Sequence, residues 1–225
     1  MPRQTGDTEV RVGVMIPTYR RPDLLRRAVL QWIVQTKKPD VLCVHQNGSE
    51  ESYEWAVHDL KHLINIQWVH TPKEMPQHFW YLIPLSVLLN HECDVFLWAD
   101  HDDIYYTNHV ETVLKCLDGY DITLSDTCGV LYVEDKNYKY QKPEKFSAHA
   151  PGGMSSSIAF TRKFAVGLQL DLLKDKEHYY SDNVLAFITM PRHQKNVTSN
   201  STTVYVAHAG SHTSAHWVNQ QPKQS

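Results

Sequence analysis

The segment from residue 95 to residue 103 constrains this chain more than any other. An apolar run, Val95 to Ala99, ends abruptly in Asp100-His101-Asp102-Asp103. Such a run predicts a buried strand. Three carboxylates packed at the end of that strand repel one another unless a positive group lies among them. The pattern therefore predicts a site for Mn²⁺ or Mg²⁺, since hard cations prefer carboxylate oxygens and leave positions for substrate phosphate.

A second interpretation of the same segment is purely structural. A helix is expected to follow, and an Asp or Asn before a helix commonly caps its free N–H groups. Asp103 or Asn108 could have that role. Capping needs only one such residue, so the cluster favours a cation or phosphate site.

Strands and helices alternate over the first half of the chain. This rhythm predicts an α/β fold, a Rossmann-like and mostly parallel central sheet with flanking helices. The predicted strands are 10–16, 41–44, 64–69 and 95–99. The predicted helices are one opening at Arg21-Pro22-Asp23, then 50–63, 77–90 with a kink at Pro84, and 109–117.

Polar residues follow each predicted strand at its carboxyl end. They are Pro17-Thr18-Tyr19, Gln46-Asn47-Gly48, Thr71-Pro72-Lys73 and Asp100 to Asp103. Ligands of open parallel sheets bind beyond these ends. The pattern is what a nucleotide cleft requires.

In the second half the alternation of strands and helices ends. Its pattern predicts a smaller region of mixed strands and helices. Short strands are expected at 121–124, 129–133, 138–141 and 203–207, with a helix from Thr161 and another at 182–190. Residues 142–151 and 194–201 are predicted loops. No linker separates 10–118 from 119–216, so we expect one domain over 1–225.

Composition narrows the class of protein. A net charge of −3 gives no reason to expect nucleic acid as a partner. The longest apolar stretch, Tyr81 to Leu89, is too short for a membrane span, and no leader is visible, which predicts a cytoplasmic protein. The cysteines Cys43, Cys93, Cys116 and Cys128 have no Cys-x-x-Cys spacing, so buried free thiols are expected.

Several motifs together resemble a known family. The opening VGVMIPTYRRPDLLRRAVLQWIVQTKKPDVLCVHQNGS is similar to the start of GT-A fold nucleotide-sugar glycosyltransferases of the family-2-like group. WADHDDIYY resembles the Asp-x-Asp motif, GGMSSSIAFTRKF the acceptor-side segment, and YYSDNV the acidic motif carrying the catalytic base. The chain also resembles glycosyltransferases encoded by chloroviruses, which implies a host-cytoplasmic protein.

The resemblance implies roles for residues of the first half. Residues 10–118 would form the nucleotide-sugar-binding half, with Pro17, Thr18 and Tyr19 at the nucleotide and Asp100 at the ribose or sugar. Asn47 falls where many relatives place an Asp against uracil. The amide departs from that pattern, so the choice between UDP and GDP as the donor nucleotide stays open. For Asn47 alone, a turn residue before Gly48 is the better interpretation.

The resemblance also implies a metal site. Asp102 would bind Mn²⁺ or Mg²⁺ bridging the diphosphate, with Asp103 as an alternative ligand or a partner behind it. His208 follows the last strand and would complete the site. His208, His212 and His216 recur every four residues, and the other interpretation is a surface cluster of histidines.

The half 119–216 would bind a glycan or glycoprotein acceptor. Gly152, Gly153, Ser155 and His212 would line the sugar and acceptor pocket. Asp182 would be the general base of a single displacement with inversion; its structural alternative is a charge at a helix start.

Two other functions stay open at this point. A nucleotidyltransferase also uses an α/β sheet and an Asp pair, but it normally has a glycine-rich loop where this chain has Pro17 to Pro22. A non-catalytic nucleotide- or glycan-binding module would need neither the full Asp cluster nor Asp182. NTPase, dehydrogenase and zincin motifs are absent from the sequence.

Overall fold

A computed structural model describes residues 9–134, 137–145, 155–175 and 184–208. Its first half contains five strands and three helices. The strands are β1 (Val12–Thr18), β2 (Val41–Asn47), β3 (Ile66–Thr71), β4 (Val95–Trp98) and β5 (Ile104–Tyr105). The helices are α1 (Pro22–Ile33), α2 (His78–Asn90) and α3 (His109–Leu117).

The second half contains six further strands and one α-helix in the described residues. The strands are β6 (Ile122–Ser125), β7 (Thr127–Glu134), β8 (Asn137–Lys145), β9 (Ala159–Thr161), β10 (Lys195–Thr198) and β11 (Thr203–His208). The helix is α4 (Arg162–Lys174), and a π-helical segment covers Val184–Thr189.

A seven-stranded sheet forms the centre of the described structure. Its strand order is β10-β6-β9-β4-β1-β2-β3. Every neighbouring pair is parallel except the two that involve β9, which runs antiparallel to β4 and β6. This confirms the predicted α/β class with its mostly parallel sheet. A second sheet of order β5-β11-β7-β8 is the smaller mixed region.

Helices cover both faces of the central sheet. On one face α2, α4 and the π-helical segment bury a cluster that includes Trp98, Phe96 and Phe160. On the other face α1 and α3 bury a cluster that includes Trp32 and Leu97. Strands β1, β2, β4 and β6 are buried along their whole length, which explains the apolar runs of β1, β4 and the first half of β2.

One position in this core, Gly13, leaves no room for a side chain. A Cβ on Gly13 would lie 2.9 Å from Cys93 Sγ and from a Leu88 methyl group. Strand β1 therefore packs directly against the end of α2. All four cysteines are free thiols; Cys43, Cys93 and Cys128 are buried and Cys116 is half-buried. The expectation of free thiols is confirmed.

Three predicted segments were wrong. Residues 50–63 form only two short 3₁₀ turns, Glu54–Ala56 and His58–Leu60, because the Gln46 side chain binds both Tyr53 N–H and the Glu51 carbonyl and so fixes a non-helical start. The predicted loop 194–201 contains β10, which extends the central sheet beside β6. In the predicted loop 142–151, residues up to Lys145 continue β8.

Two positions in the helices were predicted to have special roles, Pro84 in α2 and Asn108 before α3. Helix α2 contains Pro84 in its interior and continues through it from His78 to Asn90. Asn108 precedes α3 but makes no side-chain capping bond. None of the helices in the described ranges combines the length and hydropathy that crossing a bilayer requires.

One buried histidine makes the fold sensitive to acid. His109 is 1% exposed, lies 5.2 Å from the Tyr105 ring and bonds Thr202 Oγ1 through Nδ1 at 2.6 Å. Burial lowers the pKa of His109 to about 3. Below pH 6.5 His109 binds a proton in the unfolded chain but not in the folded chain. The free energy of unfolding therefore falls as the pH drops from 6.5 toward 3.

We predict that His109→Asn removes this contribution to the pH dependence. Asn keeps a polar atom near the Nδ1 position but loses the ring packing, so the variant is less stable at pH 7. Its deficit should shrink by about 1.4 kcal/mol per pH unit below 6.5. Urea unfolding of both proteins at pH 7, 6 and 5 measures this change. Parallel pH profiles would contradict the assignment of the shift to His109.

Candidate functional site

The predicted site residues of the first half lie at one edge of the central sheet. Strands β2, β1 and β4 are adjacent and parallel, so Asn47, Thr18 and the segment after Trp98 all lie at their carboxyl ends. This is the edge at which ligands of open parallel sheets bind. The structure therefore brings the predicted nucleotide and metal residues of this half together.

Asp100 is held by two tyrosines. Tyr81 donates its hydroxyl to Asp100 Oδ1 at 2.6 Å, and the Asp100 N–H donates to the Tyr105 hydroxyl at 2.8 Å. Burial, followed by the Asp100 charge, raises the pKa of Tyr81 well above its usual value. Tyr81 therefore remains a proton donor, and it fixes one oxygen of Asp100 in place.

Asp103 is the most enclosed of the three carboxylates, with 1% of its surface exposed. It accepts a hydrogen bond from Ser156 Oγ and another from the Val206 N–H at 3.1 Å. The same Ser156 hydroxyl lies 3.3 Å from Asp100 Oδ2. Burial, then the charges of Asp100 and Asp102, raises the pKa of Asp103 well above its usual value.

Asp102 has a different surrounding, because its partner is a cation. Arg21 Nη1 lies 2.9 Å from Asp102 Oδ2, and the two side chains are 27% and 15% exposed. Arg27 donates to the Asp102 backbone carbonyl. Among the residues that the structure describes, a guanidinium therefore pairs with Asp102.

The turn after β1 is fixed by buried hydroxyl groups. Thr18 Oγ1 lies 2.9 Å from the Tyr53 hydroxyl, and the Pro17 carbonyl accepts from His101 Nδ1 at 3.1 Å. Tyr19 stacks under the Arg20 guanidinium at 4.9 Å. Arg20 has a positive φ of 52°, which turns the chain sharply toward α1.

Asn47 is engaged by the loop after β3. Its Oδ1 accepts from the Met75 N–H at 2.9 Å and from Thr71 Oγ1 at 3.1 Å, and its Nδ2 donates to the Met75 carbonyl at 3.3 Å. Next to it Gly48 has φ of 72°, and a Cβ there would lie 2.8 Å from the Glu74 side chain. Asn47 and Gly48 thus hold this loop against the strand ends.

The remaining predicted residues lie outside what the structure describes in full. Asp182, Gly152, Gly153 and His212 fall outside the described residues. Ser155 begins a 3₁₀ turn and His208 ends β11, and only their backbones are described. The predicted roles of these six residues stay predictions.

Sequence reasoning missed Arg21, Tyr81 and Ser156 as partners of the carboxylates. The signal for Arg21 was the pair of adjacent arginines directly after β1. Ser156 lies in the small polar run beside the predicted Ser155. Tyr81 had no signal, because it sits in an apolar helix and reaches Asp100 only in the folded chain.

A preformed cage of protein ligands for a metal is not found among the described residues, since no three His, Cys, Asp or Glu side chains converge. A divalent cation bound through one or two carboxylates and substrate phosphates does not need such a cage. Asp102, part-exposed at the strand end, supplies an oxygen donor of the right kind. The donor chemistry fits a cation that binds together with a diphosphate.

Comparisons with known proteins were made by sequence and by structure. No family model and no curated protein matches the sequence. By structure, the chain is similar to S. aureus TarS 1-349 in complex with UDP-GlcNAc, with a TM-score of 0.67 and 14% identity, over 90% of this chain and 60% of that one.

Two further structures show the same similarity. S. aureus TarS 1-349 in complex with UDP gives a TM-score of 0.65 at 11% identity, over 88% of this chain and 60% of that one. A longer S. aureus TarS chain gives 0.67 at 11% identity and is covered over 37% of its length. The chain has a GT-A-like glycosyltransferase fold.

We predict that Asn47→Asp destabilises the protein by about 1–3 kcal/mol, because a carboxylate oxygen replaces the amide that donates to the Met75 carbonyl. Asn65→Asp is the control, since Asn65 is exposed and its Oδ1 only accepts from Gln67. Urea unfolding at pH 7 measures both. Equal stability of the two variants would show that Asn47 does not hold the loop.

Proposed function

We propose that this protein is a glycosyltransferase that moves a sugar from a nucleotide-diphosphate donor, a UDP- or GDP-sugar, to a hydroxyl of a glycan or glycoprotein. The observation that carries the proposal is the shared fold with S. aureus TarS, solved in complex with UDP and with UDP-GlcNAc. The carboxylates Asp100, Asp102 and Asp103 at the ligand-binding edge of the sheet support it. UDP is the first nucleotide to test.

The first half would bind the donor. In this proposal the turn Pro17 to Tyr19 contacts the nucleotide, and Asp100 contacts the ribose or sugar, oriented by Tyr81. Asn47 would lie near the base through the loop that it holds. This arrangement uses the polar strand ends for recognition and leaves the apolar strands as a rigid support.

We further propose a metal-dependent reaction with Mn²⁺ or Mg²⁺. Asp102 would hold the cation, with Asp103 behind it and His208 as a further ligand. Such a cation stabilises the negative charge that grows on the β-phosphate of the leaving nucleotide. The chain's own contribution is the part-exposed carboxylate of Asp102, which pairs with Arg21, beside two carboxylates that accept hydrogen bonds from Tyr81 and Ser156.

The acceptor side would carry the base. We propose that Asp182 accepts the proton of the acceptor hydroxyl while its oxygen forms a bond to the anomeric carbon. The bond from that carbon to the phosphate oxygen breaks in the same step, and the nucleoside diphosphate leaves with the electron pair. A single displacement inverts the anomeric configuration. Gly152, Gly153, Ser155 and His212 would shape the pocket for sugar and acceptor.

The narrower assignment rests on the sequence motifs. We propose membership of the family-2-like group, because Pro17 to Pro22 and the Asp100 to Asp103 cluster occur in the expected order. A chlorovirus origin and a place in the host cytoplasm belong to the same proposal.

We predict that UDP raises the melting temperature of the wild-type protein, more strongly with Mn²⁺ than without. Ligands that bind only the folded state stabilise it by an amount that rises with the ratio of ligand concentration to Kd. Asp102→Ala should abolish the Mn²⁺-dependent part while the fold survives, because Asp102 is part-exposed. A thermal-shift panel of UDP, GDP and their sugars with each protein measures this.

The control variant is Asp59→Ala, which removes an exposed carboxylate that pairs with Arg26 of α1 and is not part of the carboxylate cluster. It should leave nucleotide binding unchanged. If Asp102→Ala keeps the full Mn²⁺-dependent shift, Asp102 is not a metal ligand. If no nucleotide shifts the wild-type protein, the glycosyltransferase proposal fails.

We also predict that Asp182→Asn lowers transfer to the acceptor by about 10²–10⁴-fold with donor affinity near wild type, since the amide cannot accept the proton. Asp175→Asn and Glu177→Gln are matched controls in the preceding segment. Product formation and donor binding are measured for all three. Full transfer by Asp182→Asn would place the base elsewhere or make the mechanism retaining.

A further inference from the structure

The ion pair between Arg21 and Asp102 joins two strand ends. Arg21 is the residue before α1, at the end of the turn that follows β1, and Asp102 follows β4. The guanidinium Nη1 is 2.9 Å from the carboxylate oxygen. The Arg21 guanidinium therefore already occupies the Asp102 carboxylate, to which the proposed function assigns a metal ion.

The backbone around Asp102 has other supports. Arg27 donates to the Asp102 carbonyl, and Gln31 donates to the Asp103 carbonyl at 3.2 Å while accepting the Tyr105 N–H at 2.8 Å. Ion pairs that solvent reaches contribute little to stability, because water and salt screen them. The loop can therefore keep its place when Arg21 leaves Asp102.

The position of Arg21 is also fixed independently of Asp102. The Arg21 carbonyl accepts the Leu25 N–H at 3.0 Å, and Thr18 Oγ1, at the start of the same turn, lies 2.9 Å from the Tyr53 hydroxyl. The left-handed conformation of Arg20, with φ of 52°, completes the turn. The base of the Arg21 side chain is thus anchored, while its guanidinium is 27% exposed at the ligand edge.

The chemistry of the two groups differs once a diphosphate arrives. A guanidinium presents parallel N–H donors that match two phosphate oxygens, and a diphosphate carries more charge than one carboxylate. Mn²⁺ and Mg²⁺ bind through carboxylates and phosphate oxygens together. A diphosphate can therefore take the guanidinium from Asp102, and the cation can then take the place of Nη1 at the Asp102 oxygen that it contacted.

We infer that Arg21 exchanges partners, pairing with Asp102 in the free protein and with the donor diphosphate in the complex. Arg21 then competes with a cation that arrives alone and assists one that arrives with the nucleotide. This inference rests on the proposed nucleotide-sugar function and adds a diphosphate-binding residue to it. Binding of metal and nucleotide is coupled through one side chain.

The experiment compares Arg21→Gln, Arg21→Lys and Arg26→Gln with the wild type. Arg26 is the control, because it lies in α1, directly after Arg21, and pairs with Asp59 at 2.7 Å on the exposed surface. Mn²⁺ alone is titrated by the paramagnetic resonance signal of the free ion. UDP is titrated by calorimetry with and without Mn²⁺, and unfolding curves check that each variant is folded.

Arg21→Gln should bind Mn²⁺ alone about 2- to 5-fold more tightly, because its competitor is gone. It should bind UDP in the presence of Mn²⁺ about 10- to 100-fold more weakly, because charged hydrogen bonds to phosphate are lost. Arg26→Gln should match the wild type in both titrations. Arg21→Lys keeps the positive charge but lacks the parallel N–H donors of the guanidinium. We therefore expect this variant to bind Mn²⁺ alone as the wild type does and to bind UDP more weakly.

The opposite results are equally clear. If Arg21→Gln leaves either titration unchanged, or weakens Mn²⁺ binding in the absence of UDP, the exchange is wrong while UDP binding by the wild type still supports the proposed function. Arg21→Lys decides in the same way if Arg21→Gln does not fold: UDP binding equal to the wild type overturns the inference. A wild type that binds no UDP removes the proposed function and the exchange together.

Discussion

Three carboxylates at the end of one buried strand are the constraint on which this structure depends. Each needs a partner, since burying an uncompensated charge is costly. Asp100 takes the Tyr81 hydroxyl from α2, Asp102 takes Arg21 before α1, and Asp103 takes Ser156 Oγ together with a backbone N–H of β11. Satisfying one short segment thus joins the central sheet to the second sheet and to helices of both faces.

Two glutamines, Gln31 of α1 and Gln35 just after it, bind the backbone from residue 103 to residue 110. Gln31 and Gln35 each donate to one carbonyl of the segment and accept one N–H, so backbone groups without strand partners are satisfied. Gln35 reaches Tyr106 and Val110, at the start of α3. The apolar positions of α1 pack in the core, and Gln31 and Gln35 bind the backbone that follows the carboxylates.

Local patterns in the sequence predicted those helices and strands that form because of the spacing of their own apolar residues. The bounds of α3 were predicted as observed, and β1 and β4 were displaced by one or two residues, because continuous apolar runs and helical spacing are visible in the chain. The carboxyl edge followed from parallel topology. The segment 50–63 was mispredicted because the side chain of Gln46, on another element, competes for its backbone groups.

Partners distant in sequence could not be predicted in this way. Arg21 and Asp102 are 81 residues apart, and Ser156 and Asp103 are 53 apart. The pattern of three acidic residues predicted that something positive lies among them, but it gave no means of choosing between a metal ion and an arginine. The fold supplies an arginine to one carboxylate and hydroxyl donors to the other two.

This division gives the three carboxylates unequal freedom. Asp100 and Asp103 are bound by groups that burial keeps protonated or by backbone, so changing their partners would leave buried polar atoms unsatisfied. Asp102 is bound by a part-exposed guanidinium whose loss solvent or phosphate can compensate. An exchange of partners at this edge is therefore least costly at Asp102, and the two rigid neighbours keep its position while the exchange occurs.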